Sequence, residues 1–329
     1  MARLAKDHWR RDKHSFKNFL ALDRAPLDGP ETLGGLNGAM VSGDTRSGSQ
    51  TFIVEIPKGF KRKHDEKLAS LEFFTLRGDL SLNGVAVGAS GYIHLPQAGG
   101  GGEIRSKNGA LALAFWNPNL PSFPPPYTQN TTLRLWEEEW LPSLPGSHSV
   151  MHKSLRRPDP YGGDFDGGPG GFLRVMFIGP GVDAPYEHVH HECFEEIFQL
   201  SGDVLLGDEG IMGLGSVTIH PQEWWHGPFA SRAGAIVLVH TDAPMGLPWP
   251  PREDDYPIAK QMCCAYMDEE PWDVHAEHTP FAETAYTRLQ KNAAFQKWAK
   301  SAPEFGDKVG RDVASSFRAA WNFDKQKKG

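Results

Sequence analysis

At 329 residues the chain is long enough for about two domains with sizeable cores. A formal net charge of −7 argues against a general nucleic-acid partner, and three cysteines (Cys193 and the adjacent Cys263 and Cys264) are too few for a disulfide framework. No stretch approaches the ~18 apolar residues of a membrane helix, and the basic opening M-A-R-L-A-K-D-H-W-R-R lacks the apolar run of a secretory signal, so a cytoplasmic protein without a membrane partner is expected.

Residues 1–39 read as an N-terminal arm, a short helix carrying Trp9, Phe16, Phe19 and Leu20 followed by turn-rich sequence. From about residue 40, the β-branched run T-F-I-V-E-I-P between glycines and prolines predicts a strand. Residues 71–84, L-E-F-F-T-L-R-G-D-L-S-L-N-G, then return as E-E-I-F-Q-L-S-G-D-V-L-L-G at 195–207. Gly78 aligns with Gly202, Asp79 with Asp203 and Glu72 with Glu196, and G-Y-I-H-L-P at 91–96 resembles S-V-T-I-H-P at 216–221. An internal repeat of this length implies two copies of one all-β barrel. The expected divisions are a first barrel over 40–135, a Pro/Gly-rich connector over 136–171 and a second barrel over 172–250. The Gly-rich run at 162–171 lacks the Gly-Lys-Ser/Thr ending of a phosphate loop and reads as a loop near the barrel mouth. Residues 251–329 form a helical extension in this reading, with Phe295 beside Trp298 and Phe317 beside Trp321, docking on the barrel or across a homodimer.

The chemistry concentrates between Gly181 and Gly227. His188 and His190 stand two apart, so a strand aims both at one face. Glu195 can join them from the next strand, and His226 from beyond the following glycine turn. Three imidazoles and a carboxylate converging inside a barrel make a nitrogen and oxygen site for a divalent metal. The order H-x-H-x4-E-x6-G, then G-x5-P-x4-H, resembles the paired motifs of the cupin superfamily. That resemblance implies a double-stranded β-helix, or jelly-roll, barrel in which His188, His190, Glu195 and His226 bind one divalent metal. Glu223 stands where many cupins have glycine and Ala230 where many have asparagine, and neither is a ligand position. In the first repeat His64 falls on His188, but Glu66 falls on His190, Leu71 on Glu195, and a residue of the Gly99–Gly102 run on His226. The first barrel is therefore expected to be metal-free and structural, with His64 solvated in the charged loop K-R-K-H-D-E-K.

Trp224, Trp225 and Phe229 surround His226 and predict an aromatic pocket wall, with one of the two tryptophans at the rim. Tyr186 and Gln199 are candidate catalytic groups, Gln199 facing inward with Glu195 by alternation, whereas Glu196 faces outward and Cys193 reads as a buried filler. The expected function is a non-haem Fe(II)-type dioxygenase acting on a small phenolic, enolic or diketone substrate. Mn, Ni, Cu or Zn suit the same donors. A non-redox cupin lyase, isomerase or decarboxylase and a non-catalytic ligand-binding protein are the alternatives.

Overall fold

Alternation in L-E-F-F-T-L and in its counterpart E-E-I-F-Q-L builds two long strands, Ser70–Gly78 and Glu195–Gly202, each lying inside its own seven-stranded antiparallel sheet. The computed structural model describes residues 9–243 apart from 29–31, 66–68, 98, 100, 119–128, 139, 144–149, 157–170, 180, 185–192 and 232–233. These residues divide into two units, one of residues 9–13 and 22–138 and the other of 14–21 and 140–243. No α-helix occurs among the described residues, and no helix among them is long and apolar enough to cross a membrane.

Each unit has the same strand order. In the first, the large sheet runs Thr131–Arg134, Gly91–Leu95, Ser70–Gly78, Ala110–Asn117, Gln50–Ile56, Asn37–Gly43, Ala25–Pro26. In the second it runs Ser15–Asn18, Ser216–His220, Glu195–Gly202, Ala235–Thr241, Leu173–Ile178, Val150–Arg156, Leu141–Pro142. A four-stranded sheet accompanies each: Phe60–His64, Gly102–Ser106, Leu80–Leu82, Val85–Val87 in the first, and Val182–Ala184, Phe229–Ser231, Val204–Leu206, Gly210–Met212 in the second. The sequence repeat is thus a repeat of topology and of register. Leu71 pairs with Leu95 where Glu195 pairs with His220, and Gly78 pairs with Ala110 where Gly202 pairs with Ala235.

Three sequence expectations change. The arm forms no helix over residues 15–21; Ser15–Asn18 is a strand paired with Ser216–His220, followed by a 3-10 turn at Phe19–Ala21. Val150–Arg156, inside the stretch read as connector, is a full strand paired with Leu173–Ile178. His64 is not solvated. It is buried at the end of its strand, its Nε2–H donating to the Ala69 carbonyl at 3.0 Å and its Nδ1 accepting from the Thr32 hydroxyl at 2.7 Å. Both nitrogens are satisfied in the neutral ring, and burial holds its pKa below the ordinary histidine value. The C-terminal extension lies outside the described residues.

The two interiors differ in polarity. The first is filled by Phe52, Leu71, Phe73, Ile93 and Leu95. The matching ladder positions of the second carry Arg174, Glu195, Ile197, Thr218 and His220. His152, opposite Met176 on the same inward face, is also buried. Burial and the nearby charge of Arg174 pull its pKa from 6.5 to about 4. Between those values the unfolded chain takes up a proton that the folded chain refuses. Stability present above the unfolded value is therefore lost as pH falls towards 4, by roughly 3 kcal/mol when complete. Denaturant unfolding at about pH 7.5 and about pH 4.5 checks this, and His152→Leu should remove that share of the difference.

Candidate metal centre

Glu195 opens its strand, His220 closes the neighbouring one, and their direct pairing places carboxylate and imidazole side by side on the inward face. His226 reaches the same point from the segment that precedes the Phe229–Ser231 strand. Glu195 Oε2 lies 3.2 Å from His220 Nδ1 and 3.3 Å from His226 Nε2, and the two imidazoles stack at 3.9 Å. All three residues are buried, and their donor atoms lie within 4.8 Å of one another.

The far nitrogen of each ring explains why the near ones matter. His226 Nδ1 lies 3.1 Å from the Trp224 carbonyl, which can only accept, so Nδ1 carries the hydrogen and the Nε2 lone pair faces Glu195. His220 Nε2 lies 2.9 Å from Glu209 Oε1, so a hydrogen there likewise leaves the Nδ1 lone pair facing Glu195. Two nitrogen lone pairs and a carboxylate oxygen within this radius repel unless a cation lies among them. A proton is one such cation. Burial works against a charged His220, but hydrogen bonds to Glu195 and Glu209 outweigh it and push its pKa up to about 9. Burial also opposes ionisation of Glu209, yet hydrogen bonds from His14 and His220 hold its carboxyl well below the usual carboxylate range. A divalent metal is the other candidate cation, and two imidazoles with one carboxylate suit it.

A second tier surrounds His220. Glu209, in the 3-10 turn Gly207–Glu209, accepts from the Thr218 hydroxyl at 2.7 Å and faces His14 Nε2 at 2.9 Å. His14 immediately precedes the N-terminal strand, and its ring is stacked against Trp224 at 4.6 Å with an interplanar angle of 1°. The matching hairpin of the first unit is closed by Asn83-Gly84, and Ile93 takes the place of Thr218.

Of the residues singled out from sequence, the structure brings Glu195 and His226 together. Tyr186, His188 and His190 lie outside the described residues. Gln199 is buried four ladder pairs beyond Glu195, its Nε2 donating to the Ser201 carbonyl at 2.7 Å, and it does not join the cluster. Phe229 packs into the interior beside Ile197, Trp225 is half-buried, and Trp224 is at the rim, 39% exposed. Glu196 points to the opposite face and is buried there against His240, Nδ1 to Oε2 2.6 Å, as Glu72 is against the Tyr92 hydroxyl at 2.5 Å. Sequence reasoning passed over His220, Glu209 and His14. The repeat carried one signal: Leu95 stands opposite His220 just as Leu71 stands opposite Glu195.

No family model matches the sequence, and no curated protein matches it. Solved structures do. A candidate dioxygenase of Nostoc punctiforme PCC 73102 superposes with a TM-score of 0.58 at 17% identity, over 73% of this chain and 88% of that one. A candidate glyoxylate-induced protein of Pseudomonas aeruginosa gives 0.54 at 13% identity, over 73% and 90%. At these identities the likeness concerns architecture alone. The fold is that of the cupin barrels.

Within that fold the departure at Glu223 acquires a physical reading. Glu223 adopts φ 65°, in the turn where the Trp224 N–H donates to the Pro221 carbonyl at 3.2 Å. A left-handed conformation costs a residue with a Cβ about 1–2 kcal/mol, and Glu223 adopts it in the turn that presents His226.

Proposed function

We propose that this chain is a two-barrel cupin enzyme whose first barrel is structural and whose second binds one divalent metal. The observation that carries the reading is the exchange of Leu71 and Leu95 for Glu195 and His220 at matching ladder positions, with His226 closing on the same point. Burying these groups is costly in a barrel of this kind, as its leucine-filled twin illustrates. Glu195 and His226 are metal ligands, with His188 and His190 of the motif completing the set. We assign the metal as Fe(II), ahead of Mn, Ni, Cu and Zn, and the reaction as oxygen-dependent cleavage of a C–C bond in a small phenolic, enolic or diketone substrate. Both oxygen atoms enter the products, so no external reductant is required. A redox-active divalent metal at this site supplies Lewis acidity toward a substrate oxygen and electron transfer with dioxygen.

The chain's own groups shape the rest. Phe229, Ile197 and Val239 form an apolar wall that favours a planar substrate and excludes water. Gln199 Oε1 is buried with no hydrogen-bond partner among the described residues, which makes it the interior acceptor for a substrate hydroxyl. The Trp224 carbonyl keeps the His226 ring oriented.

Metal quantification on protein purified without chelators or a histidine tag, coupled to oxygen uptake with phenolic and β-dicarbonyl compounds, tests this. The expected result is one equivalent of iron and oxygen consumption matched to substrate loss. Turnover unchanged without oxygen would replace the dioxygenase by a non-redox lyase, isomerase or decarboxylase, and protein that takes up no metal would remove both.

A further inference from the structure

Beyond the assigned ligands the second unit buries a Glu196–His240–Arg156 network, the inward Arg174, and the tier of Glu209, Thr218 and His14 around His220. The last has the most complete geometry. We propose that His220 is itself a metal ligand through Nδ1, and that Glu209 and His14 are positioning residues that hold it, so that metal affinity depends on the N-terminal strand. This rests on the reading that the second barrel binds a metal.

The observations come from independent parts of the chain. His220 Nδ1 shares the Glu195 Oε2 atom with His226 Nε2, at 3.2 and 3.3 Å, so a cation placed for one imidazole is within reach of the other. The opposite nitrogen faces Glu209 at 2.9 Å. A carboxylate on the far side of an imidazole fixes the tautomer, orients the ring and raises the basicity of the nitrogen that binds metal. Glu209 is held in turn by Thr218 at 2.7 Å and faces His14 at 2.9 Å. His14 is placed by the pairing of Ser15 with Ile219 and by its stack on Trp224. The chain thus runs from the N-terminal strand through His14 and Glu209 to His220, ending at the carboxylate of Glu195. The first unit lacks it at three matched positions, with Leu71, Leu95 and Ile93 in place of Glu195, His220 and Thr218.

The test uses the full-length protein with Zn(II) and Cu(II) as probes. Zn(II) affinity is measured by chelator competition, and the nitrogen donors of the Cu(II) form are counted by electron paramagnetic resonance. In His220→Leu, which copies the first unit, one nitrogen donor should disappear and Zn(II) affinity should fall on the order of 100-fold. Glu209→Gln should keep the donor count, shift the copper signal and weaken Zn(II) on the order of 10- to 100-fold. His14→Ala should move both readouts in the same direction by a smaller factor, while His14→Gln, which retains a hydrogen-bonding group, should recover part of the loss. Circular dichroism and the melting of metal-free protein identify any variant that fails to fold, in which case the Glu209→Gln and His14 variants decide. His226→Ala separates this inference from the reading beneath it. If wild type binds metal and His226→Ala abolishes binding, but His220→Leu leaves donor count and affinity unchanged, His220 is no ligand and the inference falls alone. If wild type binds neither metal, both fall.

Discussion

Replacing Glu195 and His220 together by leucine should abolish metal uptake and raise the melting temperature of the metal-free protein. The first barrel supplies the precedent, because Leu71 and Leu95 occupy the same paired positions in an apolar interior. A buried ion pair recovers its desolvation cost only in part. Exchanging both members for apolar residues of similar volume is typically neutral or stabilising by about 1–4 kcal/mol. In a unit of this size each kcal/mol moves the melting temperature by about 2–4 °C. Either single change should act in the opposite direction. Glu195→Leu leaves the buried His220 with Glu209 and Thr218, and His220→Leu leaves the buried Glu195 with His226, each costing up to about 3 kcal/mol. Calorimetry of the metal-free forms with parallel metal analysis checks both halves. A double variant that still takes up metal, or singles as stable as the double, would show that the pair is neither the donor set nor a buried charge network.

The repeat was legible because the features that build a barrel strand are local. Alternation in L-E-F-F-T-L and E-E-I-F-Q-L, each followed by Gly-Asp, marks the same strand and the same departure from it, and the ladders confirm the alignment residue for residue. The contrast between the barrels was legible for the same reason, since Leu71 opposite Glu195 is a change of chemistry at a fixed register. His220 stood in the repeated segment S-V-T-I-H-P without being singled out, although its opposition to Leu95 carried the same message.

What stayed hidden depends on partners remote in sequence. Trp9, Phe16, Phe19 and Leu20 fit a helical stripe well, and nothing nearby tells the chain otherwise. The Ser15–Asn18 strand exists because Ser216–His220, some two hundred residues later, presents an edge with unpaired backbone groups. In the first unit the equivalent edge is taken by Thr131–Arg134, from the opposite direction along the chain. No local pattern distinguishes these solutions. His64 was misread for a related reason. Its neighbours Lys61, Arg62 and Lys63 announce an exposed segment, and the strand is indeed half-exposed, but its last residue turns inward onto Thr32 and Ala69.

Gly78 and Gly202 should be among the costliest glycines to alter, and the reason is space as much as conformation. Both have positive φ, 82° and 70°, beside the register shift of their central ladder. An alanine Cβ at Gly78 would lie 2.0 Å from the Gly109 carbonyl oxygen, and one at Gly202 would lie 2.0 Å from that of Gly234. Those oxygens belong to the turns that feed the paired strands Ala110–Asn117 and Ala235–Thr241, so neither can retreat without pulling its strand out of register. The left-handed conformation alone costs about 1–2 kcal/mol, and the backbone overlap should bring the total to at least about 3 kcal/mol. Gly84 and Gly181 separate the two contributions. Their φ values of 88° and 77° are also positive, but nothing lies within 4 Å of a Cβ built there. Alanine at these positions should therefore lose only the conformational share. Urea unfolding of Gly78→Ala against Gly84→Ala, and of Gly202→Ala against Gly181→Ala, measures the difference in each barrel. Equal losses within a pair would mean that the close approach is not what fixes the strand's departure from the ladder, and with it the depth at which Glu195 is carried into the second barrel.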